Sequence, residues 1–187
     1  MQKDLEQHFL QIGTYGMNAS ASPGGGQSAG TTDTVTDLGA EANYQFIVNS
    51  AGAVSDILSG HSILIHEARS LDAGNRVLGP NGFNTLDTFR TDVSWSIAET
   101  VTSSIQYFRT AGSVDAIQYF SPGGRPNSAG VIAGVTFTPW SKPESPVRFL
   151  NLRIAVQYLA YTEFNGNGRG AGGNNGVYLS LLGALHF

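Results

Sequence analysis

Apolar and polar residues alternate with a period of two along most of this chain. In the final run, residues 176–187, one register carries mainly large apolar residues, and the other mixes tyrosine, serine, histidine and small residues. Successive side chains of a β-strand point to opposite faces of its sheet. The run therefore predicts a strand with one hydrocarbon-like face.

Seven further segments have strand character, and no segment has the period of an amphipathic helix. The alternation is clearest in residues 36–46, 88–97 and 150–163, and weaker in residues 10–17, 62–71, 102–110 and 131–138. Strands with alternating faces are typical of antiparallel sheets. We therefore predict an all-β fold in which about eight strands run up and down as an antiparallel barrel.

The connections between these strands alternate in length. Long segments rich in Gly, Ser, Asn and Pro lie near residues 19–34, 72–85, 111–128 and 165–175. Shorter links fall between them, although the link at residues 48–60 is longer than this scheme expects. Bacterial outer-membrane barrels have short periplasmic turns and long outer loops. The pattern predicts one barrel domain over residues 1–187, with the four long segments as outer loops.

Composition narrows the class of protein. Only 13% of the 187 residues are charged, the net charge is −4 and there is no cysteine. The charge gives no reason to expect a nucleic-acid partner, and without cysteine no disulfide, thiolate metal site or covalent haem attachment can form. No run of eighteen apolar residues exists, so we expect no membrane-spanning helix. A mean hydropathy of −0.08 still fits transmembrane strands, in which only every second residue must be apolar.

Alternation alone leaves two orientations open. An outer-membrane barrel turns its apolar faces to lipid, whereas a soluble lipocalin-like barrel encloses them around an apolar small molecule. We favour the first because few charges lie on the polar faces and because aromatic residues fall near strand ends, as in membrane girdles. The predicted lumen-lining polar residues are Glu41, Asn43, Arg90, Asp92, Arg153, Gln157 and Glu163. The predicted lipid-facing residues are Leu38, Tyr44, Phe46, Phe89, Trp95, Leu152, Ile154, Val156, Leu181 and Phe187.

The interior of a closed eight-stranded barrel is just wide enough for side chains to fill it. Because unpaired buried charge is costly, we expect Arg90, Asp92 and Arg153 to pair within the lumen more than to select solutes. An open pore is the alternative. The sequence does not decide between the two.

We find no pattern that supports catalysis or a cofactor. Gly168, Gly170 and Gly173 have the spacing of a dinucleotide loop, but a strand follows them instead of a helix. His61 and His66 are five residues apart, which places them on opposite faces of a strand and argues against a shared metal. We expect no enzyme activity, no metal site and no cofactor in this chain.

Several motifs resemble one protein family in their order and spacing. They are TDLGAEANYQF at residues 36–46, LIHEARSLDAG at 64–74, LDTFRTDVSW at 86–95, YFRTAGS at 107–113, TPW at 138–140, NLRIAVQYLAYTEFNG at 151–166 and the NNGVYLSL run near the end. These segments resemble the C-terminal half of a proteobacterial exported, cytochrome-c-like outer-membrane protein family. In that family a signal peptide and a CxxCH haem-attachment motif precede a long β-rich region that closes on a terminal Phe.

The resemblance implies a Gram-negative cell-envelope protein in the bacterial outer membrane. It implies as partners the lipid bilayer and either the N-terminal barrel strands of the family or a periplasmic cytochrome. The eight strands would then be a small barrel or the C-terminal part of a larger one. The chain has no CxxCH, so the redox role that the resemblance implies cannot be placed on any of its residues. We therefore expect a structural or porin-like barrel.

Overall fold

A computed structural model describes residues 2–5, 7–21, 32–49, 56–72, 81–121, 123–140, 147 and 150–185. Its nine strands are β1 (Gln2–Leu5), β2 (His8–Ala21), β3 (Asp33–Asn49), β4 (Asp56–Ser70), β5 (Phe83–Ile97), β6 (Val101–Gly112), β7 (Ser128–Phe137), β8 (Leu150–Glu163) and β9 (Gly176–Leu185). A single α-helical turn, α1 (Ala116–Tyr119), precedes β7, and a 3₁₀ helix (Ala171–Asn174) precedes β9. In the described part of the chain, neither helix is long and apolar enough to cross a membrane.

The strands follow one another in the sheet in chain order, from β1 to β9, and every neighbouring pair is antiparallel. The predicted all-β, up-and-down fold is therefore confirmed, and β2 to β9 correspond to the eight predicted strands. The short β1 was not predicted. Several strands run further than the alternation indicated: β2 reaches Ala21 and β5 begins at Phe83, both inside predicted loops.

The sheet is not closed in the described residues. β9 pairs only with β8, and β1 covers only the first part of β2, from His8 to Gln11. Because direction alternates along the sheet, β9 runs antiparallel to β2 and parallel to β1. The two edges that could join with antiparallel pairing are those of β2 and β9.

Register defines the two faces, since directly opposed residues of an antiparallel pair share a face. The polar face carries the odd-numbered residues of β2, of β3 as far as Ile47 and of β4. It also carries the even-numbered residues of β5, β6, β7 and β9, and the odd-numbered residues of β8 as far as Tyr161. The remaining strand residues form the apolar face. One row across the polar face reads Gln11, Asn43, His61, Asp92 and Gln106.

A β-bulge in β8 moves Glu163 away from its predicted face. Gly130 is opposed by Tyr161 but Ala129 by Glu163, so Thr162 is an extra residue in the ladder. An extra residue reverses the alternation beyond it. Glu163 thus shares the face of Ala129, opposite to that of Arg153, and the expectation that Glu163 lines the polar face is wrong.

Exposure across the sheet is inverted relative to a water-soluble fold. On the apolar face Trp95, Ile105 and Val135 are 49%, 56% and 51% exposed, whereas the polar face is on average better covered. Among the described residues, the buried hydrophobic side chains are alanines only, Ala129, Ala155 and Ala171. Soluble proteins normally bury Leu, Ile, Val and Phe. The described sheet has no aliphatic core of its own.

Candidate functional site on the polar face

Six of the seven residues predicted to line a lumen lie together on the polar face. They are Glu41, Asn43, Arg90, Asp92, Arg153 and Gln157. They reach this face because each occupies the polar register of its strand, and strand pairing preserves that register across the sheet. The face spans from β2 to β9 and is mixed, because Ile63, Phe108 and Ile132 share the same register with its polar residues.

Charges on this face are only partly paired. His61 Nδ1 lies 3.3 Å from Asp92 Oδ1, and both side chains are partly exposed. Arg90 and Arg153 are exposed and form no ion pair with any described residue. Strand-to-strand side-chain hydrogen bonds in the described sheet join neighbouring strands and do not cross the polar face. In the described sheet this face is partly exposed, and the pairing of Arg90 and Arg153 within a closed lumen stays a prediction.

The predicted lipid-facing residues lie on the apolar face, except that Phe187 is outside the described residues. They are Leu38, Tyr44, Phe46, Phe89, Trp95, Leu152, Ile154, Val156 and Leu181. Aromatic residues of this face fall in two bands, one near the short connections with Tyr44, Phe46, Trp95 and Phe137, the other toward the long connections with Phe89 and Tyr107. Tyr158 lies in the same register row as Tyr44. At about 3.4 Å per residue, the six steps from Phe89 to Trp95 separate the bands by roughly 20 Å.

Polar side chains on the apolar face bond to one another. Ser62 Oγ and Thr91 Oγ1 are 2.7 Å apart, in the register row of Tyr107. Nearer the long connections, His66 Nδ1 lies 2.7 Å from Asp87 Oδ1. Mutual pairing lowers the cost of placing such groups in an apolar phase, because an unbonded polar group there costs several kcal/mol in order of magnitude.

A second polar cluster lies at the end of the sheet that carries the long connections. The three most buried side chains described are Asp33, Asn84 and Asp115, each 1% exposed. Asn84 Nδ2 donates to Asp115 Oδ2 at 2.9 Å and to Gln118 Oε1 at 2.6 Å. Asn81 Nδ2 in turn donates to Asn84 Oδ1 at 2.6 Å. The network joins β5 to α1, which lies in the β6–β7 connection.

Asp115 also begins α1. Its Oδ1 accepts hydrogen bonds from the backbone N–H groups of Ile117 and Gln118, both at 3.0 Å. Burial alone would raise the pKa of Asp115, but the hydrogen bonds from Asn84, Gln118 and Ile117 outweigh it and hold the pKa below its ordinary 3.8. The carboxylate is therefore ionised at neutral pH and fixes the start of the helical turn.

The same end of the polar face carries several acidic groups and one arginine. Arg69 Nη2 donates to Asp33 Oδ2 at 3.1 Å. Asp37 and Glu67 are directly opposed on β3 and β4, and Asp37 Oδ1 is a buried oxygen without a hydrogen-bond partner. Like charges placed directly opposite each other destabilise a sheet. This end is therefore negative overall and electrostatically strained.

Sequence reasoning missed this cluster. Asp33, Asn84, Ser113 and Asp115 fall inside the predicted loops at residues 19–34, 72–85 and 111–128, and the sequence gives them no role. A local signal did exist, because an aspartate directly before a short apolar run is a typical helix start. The partner at Asn84, 31 positions away along the chain, has no such local signal.

The described residues contain no group of three or more His, Cys, Asp or Glu placed to hold a metal ion. Covalent c-type haem attachment needs two cysteines and the sequence has none, so the chain's residues do not fit that group. A scan of protein-family models, a search of curated proteins and a search of solved structures each found no match to this chain. The argument about function therefore rests on the geometry of the two faces.

Proposed function

We propose that this chain forms the wall of a β-barrel in the outer membrane of a Gram-negative cell envelope, with a structural or porin-like role. The apolar face would contact acyl chains, and the polar face would line a water-filled path for small hydrophilic solutes. The role needs no catalytic group, cofactor or nucleic acid. An association with a c-type cytochrome system is a narrower form of this proposal, and it rests only on the family resemblance of the motifs.

The single observation that carries the proposal is the inverted exposure of the sheet. Side chains such as Trp95, Ile105 and Val135 are about half exposed, although they are among the most apolar in the chain. Covering apolar surface is worth roughly 25 cal/mol per Å², so leaving such a face in water would be strongly unfavourable. A bilayer supplies the apolar phase that the described residues do not supply themselves.

The alternative, a soluble lipocalin-like barrel, fits these faces less well. Such a barrel binds an apolar ligand against an apolar interior. Here the candidate interior carries Asn43, His61, Asp92 and Gln106 in one row. To present an apolar interior, the sheet would have to curve the other way and turn this row to water.

The separation of the two aromatic bands can be compared with the thickness of the apolar zone of a membrane. Their separation is roughly 20 Å along the strand, from the strand rise. At the tilt of about 35 to 45° of outer-membrane strands this is about 15 Å of depth, which fits within the apolar band of about 25 Å. His8 stacks on Phe46 with ring centroids 4.6 Å apart, and its Nδ1 lies 2.8 Å from the Tyr44 hydroxyl. Rings with a polar group at one edge are favoured at membrane interfaces.

A sheet in a bilayer needs closed edges, because lipid offers no hydrogen bonds to free N–H and C=O groups. The edge of β2 beyond Gln11 and the outer edge of β9, which have no partner strand in the described sheet, are antiparallel to each other, as barrel closure requires. Closure can occur within one chain or through further strands between the two edges. The exposed Arg90 and Arg153 favour a wide lumen, since a closed eight-stranded interior would be filled by side chains.

Depth-dependent fluorescence quenching tests the proposal. The sequence has two tryptophans, Trp95 and Trp140, so Trp140→Phe leaves a single reporter on the apolar face. We expect the refolded variant to show heat-modifiable gel mobility in lipid vesicles, with Trp95 quenched by brominated lipid and shielded from iodide. A monodisperse protein in detergent-free buffer, with Trp95 open to iodide and unaffected by brominated lipid, would refute membrane insertion.

A further inference from the structure

The β6–β7 connection is hydrogen-bonded to β5 at several points. We call residues 113–127 the rim loop, of which all but residue 122 are described. At its start, Ser113 N donates to Thr85 O and Thr85 N donates to Ser113 Oγ, both at 2.9 Å. The Asn84 bonds to Asp115 and Gln118 follow directly. The first third of the loop is thus bonded to β5.

The far end of the rim loop is fixed to different elements. Asn127 Oδ1 accepts from Gly112 N at 3.2 Å, and Asn127 O accepts from Gly166 N, in the β8–β9 connection, at 2.7 Å. Within the loop, Asp115 N donates to Gly124 O at 2.6 Å. Gly124 has a φ of +62°, and a Cβ there would lie 2.5 Å from Ala116 N, so the close approach requires glycine.

The rim loop leans over the polar face. Asn84, which holds it, is on the polar register of β5, directly opposite Arg69 of β4. At the other end of α1, burial raises the pKa of Tyr119, and the carboxylates of Glu67 and Asp115 raise it further. Glu67 is also on the polar face. The side of the sheet is given by Asn84, whose side chain on the polar register donates to both Asp115 and Gln118 of the rim loop.

Asn84 and Asp115, two of the three most buried polar side chains, are hydrogen-bonded to each other. Asn84 and Asp115 are 1% exposed although the strands around them have no buried aliphatic residue. Burying an ionised carboxylate is costly unless hydrogen bonds satisfy it, and here three donors do so: the backbone N–H groups of Ile117 and Gln118 and the side-chain amide of Asn84. Such an arrangement fixes one loop position instead of allowing many.

We propose that the rim loop is a constriction at the long-connection mouth of the polar face, and that the Asn84–Asp115 hydrogen bond is the latch that holds it inward. This inference rests on the proposed function, because it needs the polar face to line a water-filled path. α1 narrows that path, and release of the latch widens it. The loop therefore sets the size limit for solutes at this mouth.

Planar-bilayer recording of the refolded full chain tests the latch. We expect Asn84→Ala and Asp115→Ala to raise the unit conductance, while heat-modifiable mobility shows that both variants still fold. Asn175→Ala is the matched control, because Asn175 also makes two side-chain hydrogen bonds, to Tyr161 N and the Tyr158 hydroxyl, but on the β8–β9 connection. This control should conduct as the parent protein does.

A thiol probe tests the position of the loop with the latch intact. The chain has no cysteine, so Ile117→Cys introduces one reactive group on the exposed side of α1. We expect a charged methanethiosulfonate reagent to reduce its current, and dithiothreitol to restore it.

The outcomes separate the two proposals. A parent protein that conducts, with latch variants and modified Ile117→Cys unchanged, would overturn the constriction and leave the porin-like role standing. A parent protein that is silent, with current appearing only in the latch variants, would support the constriction as a plug. Silence in every variant would overturn both the constriction and the porin-like role, whereas membrane insertion is judged separately by Trp95 quenching.

Discussion

Adjacent residues on β8 offer the sharpest test of which face meets lipid. Val156 and Gln157 lie near the middle of Leu150–Glu163, on the apolar and polar faces respectively. The substitutions Val156→Arg and Gln157→Arg each introduce a single arginine, and because the two residues are adjacent they lie at nearly the same depth in the proposed bilayer. The two variants therefore differ in little except the face on which the charge is placed.

The expected loss of stability in each variant follows from the exposure of the replaced side chain and from its depth in the bilayer. An arginine on the lipid side at the bilayer midplane costs roughly 2 to 4 kcal/mol. Val156 is 46% exposed, so replacing it also loses about 1 kcal/mol of apolar transfer, taken as half of the value for a fully buried valine. We expect Val156→Arg to destabilise the inserted protein by about 3 to 5 kcal/mol. Gln157→Arg, facing water, should change stability by less than about 0.5 kcal/mol.

The assay is equilibrium unfolding in guanidinium chloride from lipid vesicles, followed by tryptophan fluorescence and by heat-modifiable gel mobility. Equal effects of the two substitutions would contradict the assignment of faces. The reverse order, with Gln157→Arg the more harmful, would mean that the apolar register tolerates a charge and does not face lipid, which would refute the proposed contact with acyl chains. Both variants retain the β8 backbone ladder, so a difference between them cannot arise from strand pairing.

Three further predictions concern the polar face. Asp37→Asn should stabilise the protein by about 0.2 to 1 kcal/mol in denaturant titration, because it removes the like-charge pair with Glu67; a loss of stability would show that the two carboxylates are not strained. Gly39→Ala should cost about 0.5 to 1.5 kcal/mol, since its Cβ would fall 2.2 Å from the Tyr15 ring, which must rotate away, and a double-mutant cycle with Tyr15→Ala should recover part of that cost. The folded pKa of Asp115 is lowered, so the stabilisation that its carboxylate gives is present above the unfolded value of 3.8 and is lost as pH falls through the folded pKa. Unit conductance should therefore not rise between neutral pH and 3.8, and should rise as pH falls through the folded pKa. A rise already near neutral pH would contradict the latch.

The strands could be predicted because their signal is local. Alternation at residues 36–46, 88–97 and 150–163 reflects which face each side chain occupies, and neighbouring residues alone determine it. The same reasoning placed Arg90, Asp92 and Arg153 on one face, where the register of the sheet also places them. β1 was missed because four residues are too short for a period to show.

The errors have non-local causes. Glu163 follows the alternation in sequence, but Thr162 is extruded by the β7–β8 ladder, and only the pairing partner reveals this. The rim loop depends on Asn84 and Asp115, which lie on different elements and meet only when β5 and β6 pair. The family resemblance stays a prediction, because none of the comparisons matches the chain.

The sequence by itself determined that the chain forms antiparallel strands with one apolar and one polar face, because side-chain alternation is a property of the strand and not of its neighbours. Only the tertiary structure decided that the apolar face is the more exposed one, that the described sheet leaves β9 and β2 beyond Gln11 with one strand neighbour each, and that the rim loop leans over the polar face. These features depend on curvature, on strand order and on hydrogen bonds between distant residues. A pattern with a period of two carries no information about any of them.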